Sequence, residues 1–122
     1  MLRTGVDLVE IERVRRVMAR SGERFLARIF TPQEQAYCQG RIASLAGRFA
    51  VKEAVAKALG TGIGDVTWVE IEIVSDKMGR PELVLHGAAK EAADALGLVD
   101  GTVCDWFCRS CGQKFNLNWR EM

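Results

Sequence analysis

The apolar residues in the first quarter of the chain recur at the spacing of a helix. The pattern predicts helices from about residue 10 to 20 and from 23 to 29, with a break at Ser21 and Gly22. Their inward-facing residues are expected to be Val14, Val17, Met18, Phe25, Leu26 and Ile29.

The strongest local signal follows this region. Thr31, Pro32 and Glu34 form a capping box, in which Thr31 is the N-cap, proline occupies the first helical position and glutamate reaches back to the cap amide. We expect this short helix to stop at Gly40. A longer helix, rich in alanine and leucine, is predicted over residues 43–59.

After Gly60, expected as a left-handed C-terminal residue, the apolar period changes to two. Residues 68–74 then predict a half-buried strand, with its glutamates on the outer face. The remaining elements are expected to be a hairpin partner at 81–85, a small helix at 87–96 and a closing hairpin of strands 102–107 and 114–119. The pattern predicts a single α+β domain spanning residues 1–122, with helices packed on a mainly antiparallel sheet.

Composition narrows the class of protein. The chain has 122 residues, of which 48% are hydrophobic and 27% charged, as in an ordinary globular domain. No run of about 18 apolar residues and no signal-peptide core occurs, so we expect no association with membranes. The net charge of +1 gives no general attraction for nucleic acid. The spacing of the 4 cysteines is not that of a disulfide scaffold, which favours a reducing cytoplasm.

The charges are unevenly distributed. Residues 13–57 carry ten basic side chains against three acidic ones, whereas residues 61–100 carry eight acidic against three basic. A basic half suits an acidic partner or a phosphorylated ligand.

Candidate chemistry is concentrated in three places. Asp7 lies two residues after Gly5, at the end of the first apolar segment. Glu53 and Lys57 lie one turn apart on the long helix, and residues 60–64 form a glycine-rich loop. The pair is also typical of a simple helix-stabilising ion pair, and a glycine loop is often only a turn. Together, however, these features suit a hard metal ion facing a diphosphate.

Four segments give these residues a family context: GVDLVEIERV, ERFLARIFTPQE, LAGRFAVKEAVAKALGTGIG and WVEIEIVSDKMGRPELVLHG. They closely resemble the holo-acyl-carrier-protein synthases, the small trimeric class of 4′-phosphopantetheinyl transferases. The resemblance implies transfer of the phosphopantetheine arm of coenzyme A to a serine of apo acyl carrier protein in fatty acid biosynthesis, with release of adenosine 3′,5′-bisphosphate.

The resemblance also assigns roles to individual residues. Asp7 and Glu53 correspond to ligands of Mg²⁺, and Glu53, directly or through a water, is the expected base for the serine hydroxyl. Lys57 corresponds to the group that meets the phosphates, while Arg48, Gly60 and Gly62 line the coenzyme A site. The family places this site between two subunits of a homotrimer.

The arginine-rich first helix has two interpretations. Arginines on an exposed helix usually form only a solvated face. In the family, this helix docks the acidic carrier protein, and Arg13, Arg20, Arg24 and Phe25 lie at or near matching positions. We therefore favour a partner-binding role for these four residues.

The C-terminal segment, residues 99–122, departs from the family. The family usually has a Ser-x-Ser-His or Ser-x-Thr-His strand there, but this stretch contains no histidine, and the chain's one histidine, His86, is expected at the surface. Its cysteines, Cys104, Cys108 and Cys111, lack the second ligand pair of a zinc site. An alternative function follows: a catalytically impaired relative that only binds the acyl carrier protein.

Overall fold

The computed structural model describes residues 10–61, 63–75, 77–79 and 81–97, together with the backbone of residues 103–107 and 114–120. The order of elements is α1 (Ile11–Ile29), α2 (Pro32–Cys38), α3 (Ile42–Ala58), a 3₁₀ turn (Trp68–Glu70), β1 (Ile71–Ser75), β2 (Pro81–Leu85), α4 (Gly87–Ala95), β3 (Val103–Phe107) and β4 (Lys114–Arg120). This is the predicted α+β arrangement.

Four strands form one sheet in the order β1-β2-β4-β3. The β1–β2 and β3–β4 pairs are antiparallel hairpins, as predicted, whereas β2 and β4 run parallel, with Leu83 opposite Trp119. The C-terminal strands therefore complete the sheet despite their unusual sequence. None of the helices in the described part of the chain is long and apolar enough to cross a bilayer.

The break predicted at Ser21 is confirmed as a kink in the first helical region. Residues 11–29 form one helix with a kink, because Ser21 leaves helical geometry at φ −151° and ψ 47°. The capping box of α2 is confirmed: the Thr31 hydroxyl accepts from the Glu34 amide at 3.2 Å, and a Glu34 carboxylate oxygen accepts from the Thr31 amide at 3.0 Å. The helix ends at Cys38, two residues before the predicted stop at Gly40.

The expected strand start at Trp68 is wrong, because residues 68–70 form a 3₁₀ turn. Glu70 turns its carboxylate back to Thr67, accepting from the threonine amide at 3.0 Å and from its hydroxyl at 2.7 Å. These hydrogen bonds compete with extension of the strand and lower the pKa of Glu70. The strand begins at Ile71, three residues after the expected start.

Helix α3 passes through both apolar clusters of the molecule. One cluster lies under α1 and α2 and contains Val14, Ile29, Phe30, Cys38, Leu45 and Ala46. The other lies between α3, α4 and the sheet, and contains Val51, Val55, Leu59, Ile71, Ile73, Leu83, Leu85 and Ala89 among others. Since α3 contributes to both, its position is set by the whole described fold.

Candidate active site

Helix α3 is buried on nearly every side along its second half. Of residues 50–58, seven are buried, and only Glu53 and Lys57 reach the surface. Their separation of four residues places both side chains on one face, one turn apart. The second half of this helix thus presents a carboxylate and an ammonium side by side at the protein surface.

A buried ion pair holds this helix in place. The Nζ atom of Lys52 lies 2.8 Å from Oε1 of Glu34, and both side chains are 0% exposed. Nζ also donates to the backbone carbonyls of Trp68 and Ile71, while the second carboxylate oxygen of Glu34 accepts from the Ile73 amide at 3.1 Å. The pair therefore links α2, α3, the 3₁₀ turn and β1 directly beside Glu53.

Burial lowers the pKa of Lys52, and the adjacent Glu34 carboxylate opposes that shift. All three protons of an ammonium find an acceptor here, so its desolvation is compensated by hydrogen bonds. Lys52 has no exposed surface with which to meet a ligand. We therefore assign Lys52 a structural role beside the site.

Arg48 lies on a different side of the same helix. It precedes Glu53 by five residues, which rotates its side chain by about 140° around the helix axis. Its guanidinium carbon lies 4.2 Å from the centre of the Tyr37 ring, and its buried Nε has no hydrogen-bond partner among the described residues. Within one copy of the chain, Arg48 and the Glu53–Lys57 face therefore point in different directions.

The glycine-rich loop differs from the expectation of free amides. The amides of Gly60, Thr61 and Gly64 donate to the carbonyls of Lys57, Ala56 and Val66, at 3.0, 3.3 and 3.1 Å. Gly60 has φ +76°, which confirms its predicted left-handed conformation. The hydroxyl of Thr61 is buried without a hydrogen-bond partner in the described part of the chain. These three amides are therefore bonded within the chain, unlike the free amides that were expected, and the coenzyme-binding role of Gly60 stays a prediction.

The predicted partner-binding residues of α1 fall into two groups. Arg13, Arg20 and Arg24 are exposed. Phe25 is only half-exposed, because its ring packs against Phe30 at 5.8 Å and Phe49 at 6.2 Å between ring centres. The arginines are thus available to a partner, whereas the phenylalanine also belongs to the apolar cluster under α1.

Asp7, Gly62, Cys108 and Cys111 lie outside the described residues, and only the backbone of Cys104 is described. Cys38 is a buried free thiol whose pKa is raised by that burial. Within the described ranges, no group of three or more His, Cys, Asp or Glu side chains could hold a metal ion. Glu53 is therefore the one proposed metal ligand whose place in the fold is described.

His86 lies at the surface, as expected, but it is more than a packing residue. It is the N-cap residue of α4, and its Nε2 lies 3.0 Å from Oε1 of Glu72. The other Glu72 oxygen accepts from the Thr31 hydroxyl at 2.5 Å. Glu72, predicted on the outer face of a strand, is in fact buried beneath these two partners.

Sequence reasoning missed Lys52 and Tyr37. A signal for Lys52 was present, because it lies seven residues after Leu45 and seven before Leu59, on the buried stripe of α3. A lysine in such a stripe requires a buried acceptor. For Tyr37 no local pattern existed, since its contact with Arg48 depends on how α2 packs on α3.

Comparison with known proteins identifies the family to which the chain belongs. The sequence profile of the 4′-phosphopantetheinyl transferase superfamily matches residues 3–105. The chain belongs to this superfamily. It is thereby an enzyme of the phosphopantetheinyl transferase class, and the resemblance read from its motifs is confirmed.

Individual members of the superfamily are close in sequence and in fold. The holo-acyl-carrier-protein synthase of Moorella thermoacetica is 48% identical over 113 residues, covering 90% of this chain and 88% of that protein. The crystal structure of the Helicobacter pylori holo-acyl-carrier-protein synthase in complex with coenzyme A matches with a TM-score of 0.71 and 32% identity, covering 83% of this chain and 84% of that one. The Neisseria meningitidis enzyme matches with a TM-score of 0.66 and 37% identity, over 80% and 79% of the two chains. The phosphopantetheinyl transferase fold predicted from the sequence is confirmed.

Proposed function

We propose that this phosphopantetheinyl transferase moves the 4′-phosphopantetheine arm of coenzyme A to a serine of apo acyl carrier protein. The serine oxygen forms a bond to the phosphorus that carries the pantetheine arm. The bond from that phosphorus to the bridging diphosphate oxygen breaks, and adenosine 3′,5′-bisphosphate leaves. The named activity of the similar proteins supports this reaction.

The observation that carries the proposal is that only Glu53 and Lys57 reach the surface in the second half of α3, residues 50–58. The Glu53 carboxylate suits the acceptance of the serine proton, directly or through a water. The Lys57 ammonium suits the phosphates and the negative charge that develops on the departing bisphosphate. Both groups are held by a helix that is otherwise buried, which keeps their positions fixed as the reaction proceeds.

We further propose that the site takes Mg²⁺, with Glu53 and Asp7 as its protein ligands. Mg²⁺ in phosphate-transfer sites is typically held by one or two carboxylates together with substrate phosphates. One carboxylate at an exposed helix face, without a closed cage of ligands among the described residues, fits that donor set. When bound, the ion would neutralise charge on the diphosphate.

The coenzyme A site is proposed to lie between subunits of a homotrimer. Arg48, Gly60 and Gly62 are its proposed coenzyme-binding residues, together with Lys57. The rotation of about 140° between Arg48 and Glu53 supports an interfacial site, because one bound molecule would meet the two residues more readily from two copies of the chain. Synthesis of fatty acids in the cytoplasm is the process we propose for this reaction.

The exposed arginines of α1 are proposed to dock the acidic carrier protein. Replacing Arg24 with Glu is expected to raise KM for the carrier protein on the order of fivefold, because the variant repels an acidic helix. The wild-type rate with limiting carrier protein is expected to fall with added salt, since exposed charges are screened. Steady-state kinetics at several salt concentrations measure both effects.

Lys77→Glu, an equal charge reversal in the exposed turn between β1 and β2, serves as the matched control. It is expected to leave KM for the carrier protein near the wild-type value. Equal KM values for Arg24→Glu and wild type, together with a salt-independent rate, would contradict docking through α1.

The reaction itself is tested by mass spectrometry. The protein is mixed with coenzyme A, Mg²⁺ and an apo acyl carrier protein, and the carrier protein is expected to gain the mass of one phosphopantetheine group. Binding of the carrier protein without a mass gain would instead support the alternative function, a catalytically impaired module that binds the acyl carrier protein.

A further inference from the structure

Two arginines share one aromatic ring at the junction of α2 and α3. The guanidinium carbon of Arg48 lies 4.2 Å from the centre of the Tyr37 ring, and that of Arg41 lies 5.5 Å from the same point. Tyr37 is 44% exposed, so the ring lies at the surface with a cation held against it. Such contacts orient a guanidinium without consuming its hydrogen-bond donors.

The two arginines differ in how they are held. Arg41 donates from Nε to the Cys38 carbonyl at 2.9 Å and from Nη2 to the Tyr37 carbonyl at 2.6 Å, which ties it to the end of α2. Arg48 lacks this anchor in the described part of the chain: its buried Nε has no acceptor there, and its guanidinium lies against the ring. We therefore expect the aromatic face of Tyr37 to contribute to the orientation of Arg48.

The charges of this cluster, defined as Tyr37, Arg41 and Arg48, are not balanced within the described chain. No carboxylate of the described residues forms an ion pair with either guanidinium. Two like charges near one ring repel each other, and a buried Nε without an acceptor is costly. An anion that accepts hydrogen bonds from the terminal nitrogens of the guanidinium would offset the repulsion between the two cations.

We infer that Tyr37 is a positioning residue that holds the Arg48 guanidinium ready for a phosphate group of coenzyme A. This inference rests on the proposed function, in which Arg48 binds the coenzyme. Tyr37 acts through Arg48 rather than on the reacting atoms. Its contribution is to binding, because an arginine that is already oriented loses less freedom when it takes up a phosphate.

The test compares three substitutions at one position. Tyr37→Leu removes the aromatic face, and we expect the Kd for adenosine 3′,5′-bisphosphate and the KM for coenzyme A to rise on the order of tenfold. Tyr37→Phe keeps the face and is expected to stay within about twofold of wild type. Tyr37→Trp, whose ring attracts a cation more strongly, is expected to bind adenosine 3′,5′-bisphosphate at least as tightly as wild type. Isothermal calorimetry and kinetics measure these values, and kcat at saturating coenzyme A should change little for Tyr37→Leu.

An Arg48→Met background separates positioning from a general structural effect. If Tyr37 acts through Arg48, adding Tyr37→Leu to Arg48→Met produces no further rise in Kd. Thermal unfolding of each variant checks that the fold is retained, and Lys77→Met supplies a control for the loss of an exposed cation elsewhere.

Three results would overturn the inference: a Tyr37→Leu variant that binds like wild type, a Tyr37→Phe variant as weak as Tyr37→Leu, or a Tyr37→Leu effect that persists without Arg48. Failure of the proposed function has a different signature. In that case the wild-type protein itself neither binds adenosine 3′,5′-bisphosphate nor modifies the carrier protein.

Discussion

Replacing Glu53 with Gln is expected to reduce phosphopantetheine transfer on the order of 100-fold or more. The amide has nearly the same shape, but it neither accepts the serine proton nor supplies a charged oxygen to a divalent cation. Because Glu53 is not part of the buried core, the free energy of unfolding should change by less than about 1 kcal/mol. Transfer rates and urea unfolding, measured on the same preparation, check both expectations.

Glu91→Gln is a matched control, since Glu91 is an exposed glutamate on α4. It should transfer phosphopantetheine like wild type. Titration with Mg²⁺ adds a measurement independent of turnover, because the Glu53→Gln variant should bind the ion more weakly than the control. Full transfer by Glu53→Gln, or full wild-type transfer in excess EDTA, would be inconsistent with the proposed site.

Replacing Lys52 with Met is expected to destabilise the protein by about 3 to 5 kcal/mol. The methionine fills a similar volume, but it leaves the buried Glu34 carboxylate without its cation and removes the lysine donor from the carbonyls of Trp68 and Ile71. An uncompensated buried charge is among the largest single costs that a substitution can cause. Chemical denaturation at a fixed protein concentration measures the loss.

Two further variants make this test specific. Lys77→Met removes an exposed lysine and should change stability by less than about 0.5 kcal/mol. The double variant Glu34→Leu/Lys52→Met removes the whole pair and should recover part of the stability lost by Lys52→Met. Recovery stays partial, because Glu34 also accepts from the amides of Thr31 and Ile73. A loss below about 1 kcal/mol for Lys52→Met would show that the pair does not hold α3.

Lys52 and Glu53 are neighbours in sequence, yet their replacement is expected to affect different properties of the protein. Lys52 points into the protein and is expected to affect stability, whereas Glu53 reaches the surface and is expected to affect transfer. A rotation of about 100° between consecutive helical residues accounts for the difference. The stabilising residue Lys52 and the proposed catalytic residue Glu53 thus lie on separate faces of α3.

Much of the secondary structure followed from local pattern. The capping box at Thr31 and Glu34 and the left-handed Gly60 were correctly located, because their causes lie within a few neighbouring residues. The face of α3 that carries Glu53 and Lys57 also follows from helical spacing alone. The family was recognisable for the same reason, since its motifs are short continuous segments.

The errors arose where distant residues meet. Glu72 was placed on an exposed face by alternation, but Thr31 and His86, 41 and 14 residues away, cover it and satisfy its oxygens. The loop after Gly60 was expected to offer free amides, but the chain turns so that nearby carbonyls accept them. Hydrophobic periodicity and composition are properties of one segment at a time, so they do not show which other segment packs against it.

The sequence by itself determined the α+β class, the helix that carries Glu53 and Lys57, the basic first helix and the superfamily, because each depends on residues close together in the chain. Only the tertiary structure decided that Lys52 is buried against Glu34, that just two residues in the second half of α3 reach the surface, and that the Arg48 guanidinium lies over the Tyr37 ring. Burial and charge pairing are properties of the packed elements. They are decided when α2, α3 and the sheet come together and water is excluded between them.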